Sequence, residues 1–182
     1  MTDSQLPRYQ VFLQEKPGLP YQDVGSVHAP DSELALQNAR DVFVRRPECN
    51  ALWVVPVSVI FSRTAQELES DVIGELESGG AREEGGRREA YYIFSKSKSI
   101  GTQTLLGELE ATSPPEALRF ALEKFREHKA YVWWVFASRH VTASSQEDSE
   151  SMFVPAGDKP FRLSTDFHTL TAMRALRKER NE

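Results

Sequence analysis

The fold is decided by residues 9–62, which read YQVFLQEKPGLPYQDVGSVHAPDSELALQNARDVFVRRPECNALWVVPVSVIFS. Residues 91–142 follow the same plan at a shift of 82, which becomes 80 after a two-residue deletion. The matched pairs are Tyr9/Tyr91, Phe12/Phe94, Gly25/Gly107, Ala29/Ala111, Ala35/Ala117, Leu36/Leu118, Ala39/Ala121, Phe43/Phe125, Trp53/Trp133, Val55/Val135 and Ser58/Ser138. Because these are packing residues, the pattern predicts two copies of one unit, a built-in pseudo-dimer.

Each copy is predicted to run strand, strand, helix, strand. In the first copy the strands are expected at residues 8–13, 21–28 and 52–61. The third strand is a β-branched run in which Pro56 lacks a ladder donor, so we expect an edge position or a bulge there. Residues 131–141 are the matching strand, where Trp133 and Trp134 place one indole on each face. Both faces of that strand are therefore expected to be covered.

The helix of each copy has its own start signal. Asp31 is expected to cap the first helix, which Pro47 prevents from continuing. In the second copy, Ser113 and Glu116 form a capping-box pattern with prolines between them. The apolar faces are Ala35, Ala39, Val42 and Phe43 in the first copy and Ala117, Leu118, Ala121, Leu122 and Phe125 in the second.

The predicted fold is α+β, with two tandem ββαβ units related by a pseudo-twofold axis and an extended C-terminal tail. The boundaries are expected at 8–63 for the first unit, 64–88 for the linker, 89–143 for the second unit and 144–182 for the tail. A unit of about 60 residues is marginal alone, so the copies are expected to share a core or a sheet. Whether they form one sheet or two stays open. The linker is predicted to begin with a weak helix over residues 64–76, and apolar residues 152–167, which have no period, are expected to bury themselves on something else.

Composition narrows the class of protein. A net charge of −5 argues against nucleic acid as the main partner. No run approaches the 18 apolar residues of a membrane span, and the N-terminus lacks the pattern of a signal peptide. The single cysteine, Cys49, fits a reducing compartment. We expect a cytoplasmic protein with no membrane association.

No chemical motif stands out. The four histidines, His28, His128, His140 and His168, have no spacing typical of a metal site, and Cys49 has no neighbouring motif that would activate it. There is no nucleophile elbow, P-loop or dinucleotide-binding glycine pattern. The acidic pairs Glu75/Glu77 and Glu108/Glu110 both lie in a Gly-Glu-Leu-Glu string. Because the two strings fall at different places in the repeat, their similarity is interpreted as coincidence. The expectation is a chain with no catalytic, cofactor-binding or metal-binding residues.

Three binding functions can be weighed against this pattern. Exposed aromatics on strands suggest an RNA platform, but the charge and the first strand do not fit one. The basic clusters Arg45-Arg46 and Arg174-Arg177-Lys178-Arg180 are typical of helix ends, or of salt bridges to an acidic partner protein. A stand-alone regulatory module with a small molecule in the seam between the copies remains the alternative.

The first copy and the tail carry a resemblance to a known family. The strings that carry it are Tyr9-Gln10-Val11-Phe12, Gly18-Leu19, Val24-Gly25-Ser26-Val27-His28-Ala29, Ala35-Leu36-Gln37-Asn38-Ala39-Arg40-Asp41, Arg45-Arg46, Trp53-Val54-Val55, Phe153-Val154-Pro155-Ala156 and residues 159–162. Together they resemble the small B subunit of the multicomponent phenylacetyl-CoA epoxidase. Unlike this chain, members of that family are usually single-copy and about half as long.

The resemblance implies a non-catalytic subunit of a bacterial di-iron monooxygenase that epoxidises the ring of phenylacetyl-CoA. The partners it implies are a catalytic A subunit that holds the di-iron centre and a structural C subunit, and self-association is also open. The chain itself is expected to bind no cofactor. The expected partner contacts are Gly25, Ser26, His28, Asn38, Arg40, Asp41, Arg45, Arg46, Phe153, Pro155 and Phe161.

Overall fold

The computed structural model describes residues 6–44, 49–70, 87–145 and 149–154. Their strands are β1 (Arg8–Gln14), β2 (Gln22–His28), β3 (Ala51–Pro56), β4 (Phe61–Thr64), β5 (Glu89–Lys96), β6 (Thr104–Ala111), β7 (Val132–Ala137) and β8 (Thr142–Ala143). Their helices are α1 (Ser32–Phe43), α2 (Ala65–Ser70), α3 (Pro114–Lys124) and α4 (Ser149–Phe153), with 3-10 turns at Val57–Val59 and Ser138–His140. The α+β class is confirmed. We call β1-β2-α1-β3 the first unit and β5-β6-α3-β7 the second unit.

Both long helices begin with a side-chain cap. The N–H of Leu34 donates to Asp31 Oδ1 at 2.8 Å, which confirms the predicted cap of α1. At α3 the N–H of Glu116 points at Ser113 Oγ at 3.4 Å. The carboxylate of Glu116 reaches back to the N–H of Thr112 at 2.7 Å, one residue earlier than a standard capping box.

All eight strands belong to one antiparallel sheet in the order β4-β7-β5-β6-β2-β1-β3-β8. Its centre is narrow, because β2 and β6 are paired only at Gln22 and Thr104. Two backbone hydrogen bonds flank that pair, from Asp23 N to Gln103 O at 2.8 Å and from Leu105 N to Tyr21 O at 2.9 Å. The sheet therefore consists of two half-sheets, β2-β1-β3-β8 and β6-β5-β7-β4, joined at one corner.

The two half-sheets fold towards each other. In a flat sheet β1 and β5 would lie about 14 Å apart, since two strands separate them. The rings of Phe12 and Phe94, one from each of these strands, have their centroids only 4.4 Å apart. Together with Val55 and Phe136 they form a fully buried seam core between the half-sheets.

Each half-sheet has a second core on its outer face, under a helix. Tyr9, Val11 and Val54 pack below α1, and Tyr91, Ile93 and Val135 pack below α3. Strand alternation separates these cores from the seam. The tryptophan pair behaves as predicted, because Trp133 enters the core below α3 and Trp134 packs against the seam core.

The predicted third strand of each copy is wrong as a single element. Residues 52–61 break after Pro56 into a 3-10 turn, and β4 then pairs with β7 of the second unit, Phe61 opposite Val135. Residues 131–141 break in the same way, and β8 pairs with β3 of the first unit, Thr142 opposite Val54. Each unit thus gives its last strand to the half-sheet of the other.

The short helices α2 and α4 are exchanged in the same way, because each packs on the other unit and not on the unit that it follows in sequence. Leu68 of α2 packs against the core below α3, although α2 follows the first unit in sequence. Phe153 of α4 is buried in the core below α1, and Met152 packs beside it. Residues 64–70, predicted as the start of a linker, therefore complete the second unit. The rest of the predicted helix, residues 71–76, lies outside the described residues.

The register of the repeat also needs a correction. Phe12 lies opposite Trp53, and its counterpart Phe94 lies opposite Trp134, so the shift in the third strand is 81 and not 80. Trp53 and Trp134 both face the seam, whereas Trp133 faces the helix. A slip of one residue moves a side chain to the other face of a strand, so the matches Trp53/Trp133, Val55/Val135 and Ser58/Ser138 are wrong.

Candidate partner-binding surface

The strand β2 carries three of the predicted contact residues. Val27 is buried below α1, so its neighbours Ser26 and His28 project from the opposite face, where both are exposed. Gly25 has φ 130°, and a Cβ at this position would lie 3.0 Å from the ring of Phe43. Gly25 thus has a packing role, since it lets α1 approach the strand.

His28 and Asn38 lie together. Asn38 Nδ2 donates to the carbonyl oxygen of His28 at 3.2 Å, which links α1 to the outer edge of β2. His28 Nδ1 lies 2.9 Å from the carbonyl oxygen of Leu6. A carbonyl only accepts, so Nδ1 carries a proton and Nε2 is the ring nitrogen left for another molecule.

The remaining predicted contact residues lie at separate places in the chain and differ in exposure. Arg40 and Asp41 form an exposed ion pair with each other, Nη2 to Oδ1 at 3.0 Å. Phe153 is 6% exposed and sits in the core below α1, so its side chain offers little surface to a partner. Arg45, Arg46, Pro155 and Phe161 lie outside the described residues.

The described titratable residues do not assemble a recognisable catalytic set. Ser95 Oγ lies 2.7 Å from His128 Nε2, but Ser95 is 2% exposed and Ser97 Oγ contacts the same nitrogen at 3.1 Å. An imidazole nitrogen shared by two hydroxyls in this way is suited to holding two segments together. Burial raises the pKa of the Cys49 thiol to about 12, which makes it a poor nucleophile. Within the described ranges no three His, Cys, Asp or Glu side chains are grouped so that they could hold a metal ion.

One half-buried carboxyl group has a structural role at the corner between the half-sheets. Burial raises the pKa of Asp23, while hydrogen bonds from the Gln10 side chain, at 2.5 Å, and from the N–H of Gly25, at 3.0 Å, oppose that rise. Through these two hydrogen bonds Asp23 holds the backbone of β2 in place beside the pair Gln22–Thr104, which joins the half-sheets.

The second unit carries two carboxylates at the positions that are equivalent to this surface. Ser26 pairs with Gln10 and His28 with Arg8, whereas in the second unit Glu108 pairs with Tyr92 and Glu110 with Ala90. Glu108 and Glu110 thus occupy the positions of Ser26 and His28, as the shift of 82 in the sequence predicts.

The family of this chain follows from comparison with known proteins. A family model described as "Phenylacetic acid degradation B" matches residues 5–75 and 88–174. The chain belongs to this family. Each matched segment contains one of the two units, so family similarity extends to both halves of the chain. Among the described helices, none is long and apolar enough to cross a membrane.

A curated member of the phenylacetic acid degradation B family is similar to part of the chain. It is the B subunit of the 1,2-phenylacetyl-CoA epoxidase of Escherichia coli strain K12, 43% identical over 67 residues. The similarity covers 37% of this chain and 70% of the relative, so the relative is about half as long. No solved structure is significantly similar to this chain. Family and relative together support a role in phenylacetate degradation.

Proposed function

We propose that this chain is a non-catalytic assembly subunit of a bacterial, cytoplasmic phenylacetyl-CoA epoxidase, a ring-epoxidising di-iron monooxygenase. The observation that carries the proposal is the family match over both units, together with the relative named as the B subunit of that epoxidase. The di-iron centre would belong to a catalytic A subunit, and a structural C subunit would complete the complex. The role of this chain would be to hold these partners in place.

The internal symmetry supports a scaffold role. We infer a pseudo-twofold axis between the units, because Gln22 pairs with Thr104, its own counterpart at the shift of 82. Phe12 likewise contacts its counterpart Phe94 across the seam. The exchange of β4 and β8 obeys the same relation. One chain would then occupy the place of two copies of a single-unit relative.

Three surfaces are proposed as partner contacts. They are the end of β2 with Gly25, Ser26 and His28, the exposed side of α1 with Asn38, Arg40 and Asp41 followed by Arg45 and Arg46, and the tail with Pro155 and Phe161. Burial of Phe153 below α1 supports its role in anchoring the start of that tail on the first unit. The seam, where the alternative function would place a small molecule, is filled at its centre by Phe12, Phe94 and Phe136.

Co-expression with the catalytic and structural epoxidase subunits tests this function. We expect the three proteins to elute together in size-exclusion chromatography, and epoxidation of phenylacetyl-CoA to fall when this chain is omitted. Independent elution with unchanged epoxidation would overturn the proposal. A thermal-shift measurement with phenylacetyl-CoA and the isolated chain tests the alternative, since a scaffold protein should show no stabilisation by this ligand.

A further inference from the structure

The exposed surfaces of the two units differ in charge at equivalent places. In the first unit Arg8 and His28 face each other across β1 and β2, and Ser26 follows on the same face. All three side chains are exposed. We call these residues the first platform.

The equivalent residues of the second unit form the second platform. They are Ala90, Glu108 and Glu110, which the pairing of β5 with β6 places as Arg8, Ser26 and His28 are placed in the first unit. Leu109 packs towards α3, so Glu108 and Glu110 project together from the other face, where both are exposed. The serine and the imidazole of the first platform are thus replaced by two carboxylates, and its cation is replaced by an alanine.

The edges of the platforms differ as well. In the first unit Asn38 donates to the outward carbonyl of His28, while position 120, its counterpart, is a phenylalanine that packs against the core below α3. The first platform is therefore a preorganised surface, with the imidazole held by Leu6 and its strand edge held by Asn38.

We propose that the first platform docks an acidic surface of the catalytic epoxidase subunit and that the second platform excludes the same surface. One chain would then bind one catalytic protomer, although its scaffold could present two equivalent sites. The inference rests on the proposed function and adds a stoichiometry to it. Charge complementarity favours the first platform, and like charges at an interface discriminate strongly against a wrong surface.

The test is a titration of the full-length chain with the purified catalytic subunit, read by isothermal calorimetry and by native mass spectrometry. We expect one catalytic protomer per chain at saturation. Two protomers per chain would overturn this inference and leave the assembly function intact. No binding at all would overturn the assembly function first, so the two failures are distinguishable.

Exchanging residues between the platforms makes the test sharper. The double variant Ser26→Glu/His28→Glu, which gives the two β2 positions of the first platform the side chains of the second, should weaken binding at least about tenfold. The reverse variant Ala90→Arg/Glu108→Ser/Glu110→His, which gives the second platform all three side chains of the first, should admit a second protomer, with two per chain at saturation. Unchanged affinity in the first variant would overturn the inference, as would an unchanged ratio in the reverse variant.

Two controls accompany the exchange. Lys98→Glu, at an exposed position before β6, changes the net charge as much as Ser26→Glu/His28→Glu does, and it should leave binding unchanged. If it weakens binding equally, overall charge and not the platform decides the affinity, and the inference fails. Circular dichroism and thermal unfolding of each variant verify that the substitutions leave the fold intact.

Discussion

At the scale of single residues, the conformation of β2 and the packing of α1 both depend on Gly25. Its φ of 130° is unfavourable for any residue with a Cβ, and that Cβ would lie 3.0 Å from the ring of Phe43. We predict that Gly25→Ala lowers the free energy of unfolding by about 1–3 kcal/mol, the usual range for a strained backbone position. Urea denaturation of the variant and the wild type measures this.

Gly107 provides the matched control for that substitution. Its φ of 158° also disfavours a Cβ, but a Cβ there would lie 3.6 Å from Phe125, which is an ordinary van der Waals distance. Gly107→Ala should therefore cost less than Gly25→Ala. If Gly107→Ala lowers the free energy of unfolding as much as Gly25→Ala or more, the close contact of Phe43 with β2 is not the reason that position 25 requires glycine.

The environment of Cys49 predicts a dependence on pH. Burial raises the pKa of its thiol to about 12, whereas an unfolded cysteine titrates near a pKa of about 8.5. Between these values the folded chain keeps a proton that the unfolded chain loses, so this thiol makes stability fall as the pH rises. We expect slow reaction with a thiol reagent at pH 8.5 in buffer and fast reaction in denaturant.

Substitution of Cys49 separates its contribution from that of the tyrosines, since burial also raises the pKa of Tyr21, Tyr91 and Tyr92. The stability of Cys49→Ala should fall less steeply than that of the wild type between pH 8.5 and pH 11. Equal slopes, or rapid labelling of the native thiol, would contradict the burial of Cys49.

The tryptophans show where residue identity misleads. Trp53 can be matched to Trp133 or to Trp134. The match of Val55 to Val135, two residues later, favours a shift of 80. The ladder pairs decide for 81, because Phe12 and Phe94 each face their tryptophan across a strand pair. Side-chain type alone cannot show which face a residue occupies when both faces of a strand are apolar.

At the scale of elements, the helix caps and the first two strands of each unit were predictable, and the fate of the third strand was not. The run from residue 52 to residue 61 is apolar except for Ser58, so periodicity gives no sign that its second part pairs with another strand. Pro56 marked the break, and the expected irregularity there proved to be a 3-10 turn. Strand pairing depends on contacts distant in sequence, which one apolar run does not specify.

The exchange of elements gives a prediction for α4. Phe153 follows the second unit in sequence but is buried below α1 in the first. Phe153→Ala should destabilise the protein by up to about 3–5 kcal/mol, as truncation of a buried aromatic does. In hydrogen–deuterium exchange, the amides of α1 and β3 should lose protection before those of α3 and β7.

The neighbouring residue supplies the control. Val154 is 64% exposed, so Val154→Ala should change stability by no more than about 0.5 kcal/mol. If Phe153→Ala instead exposed the amides of the second unit first, α4 would belong with its neighbours in sequence and the crossover would be wrong.

At the scale of the whole molecule, the exchange makes each unit depend on the other. The half-sheet of the first unit ends in β8, and that of the second ends in β4. The seam core draws Phe12 and Val55 from the first unit and Phe94 and Phe136 from the second. Each unit alone would expose part of the seam and lack both a strand and a short helix.

A split chain tests this dependence. If the chain is divided between Gly79 and Gly80, each fragment keeps the strand and helix that complete the other unit. We predict that fragments 1–79 and 80–182, produced together, associate as a 1:1 pair with the far-ultraviolet circular dichroism of the intact chain. Produced alone, neither should be a stable monomer, because its seam residues would face water and its half-sheet would lack a strand. Light scattering with chemical denaturation measures both properties. A cooperatively unfolding monomer from either fragment would mean that one unit can close its own core, and the pseudo-dimer would then be two independent domains.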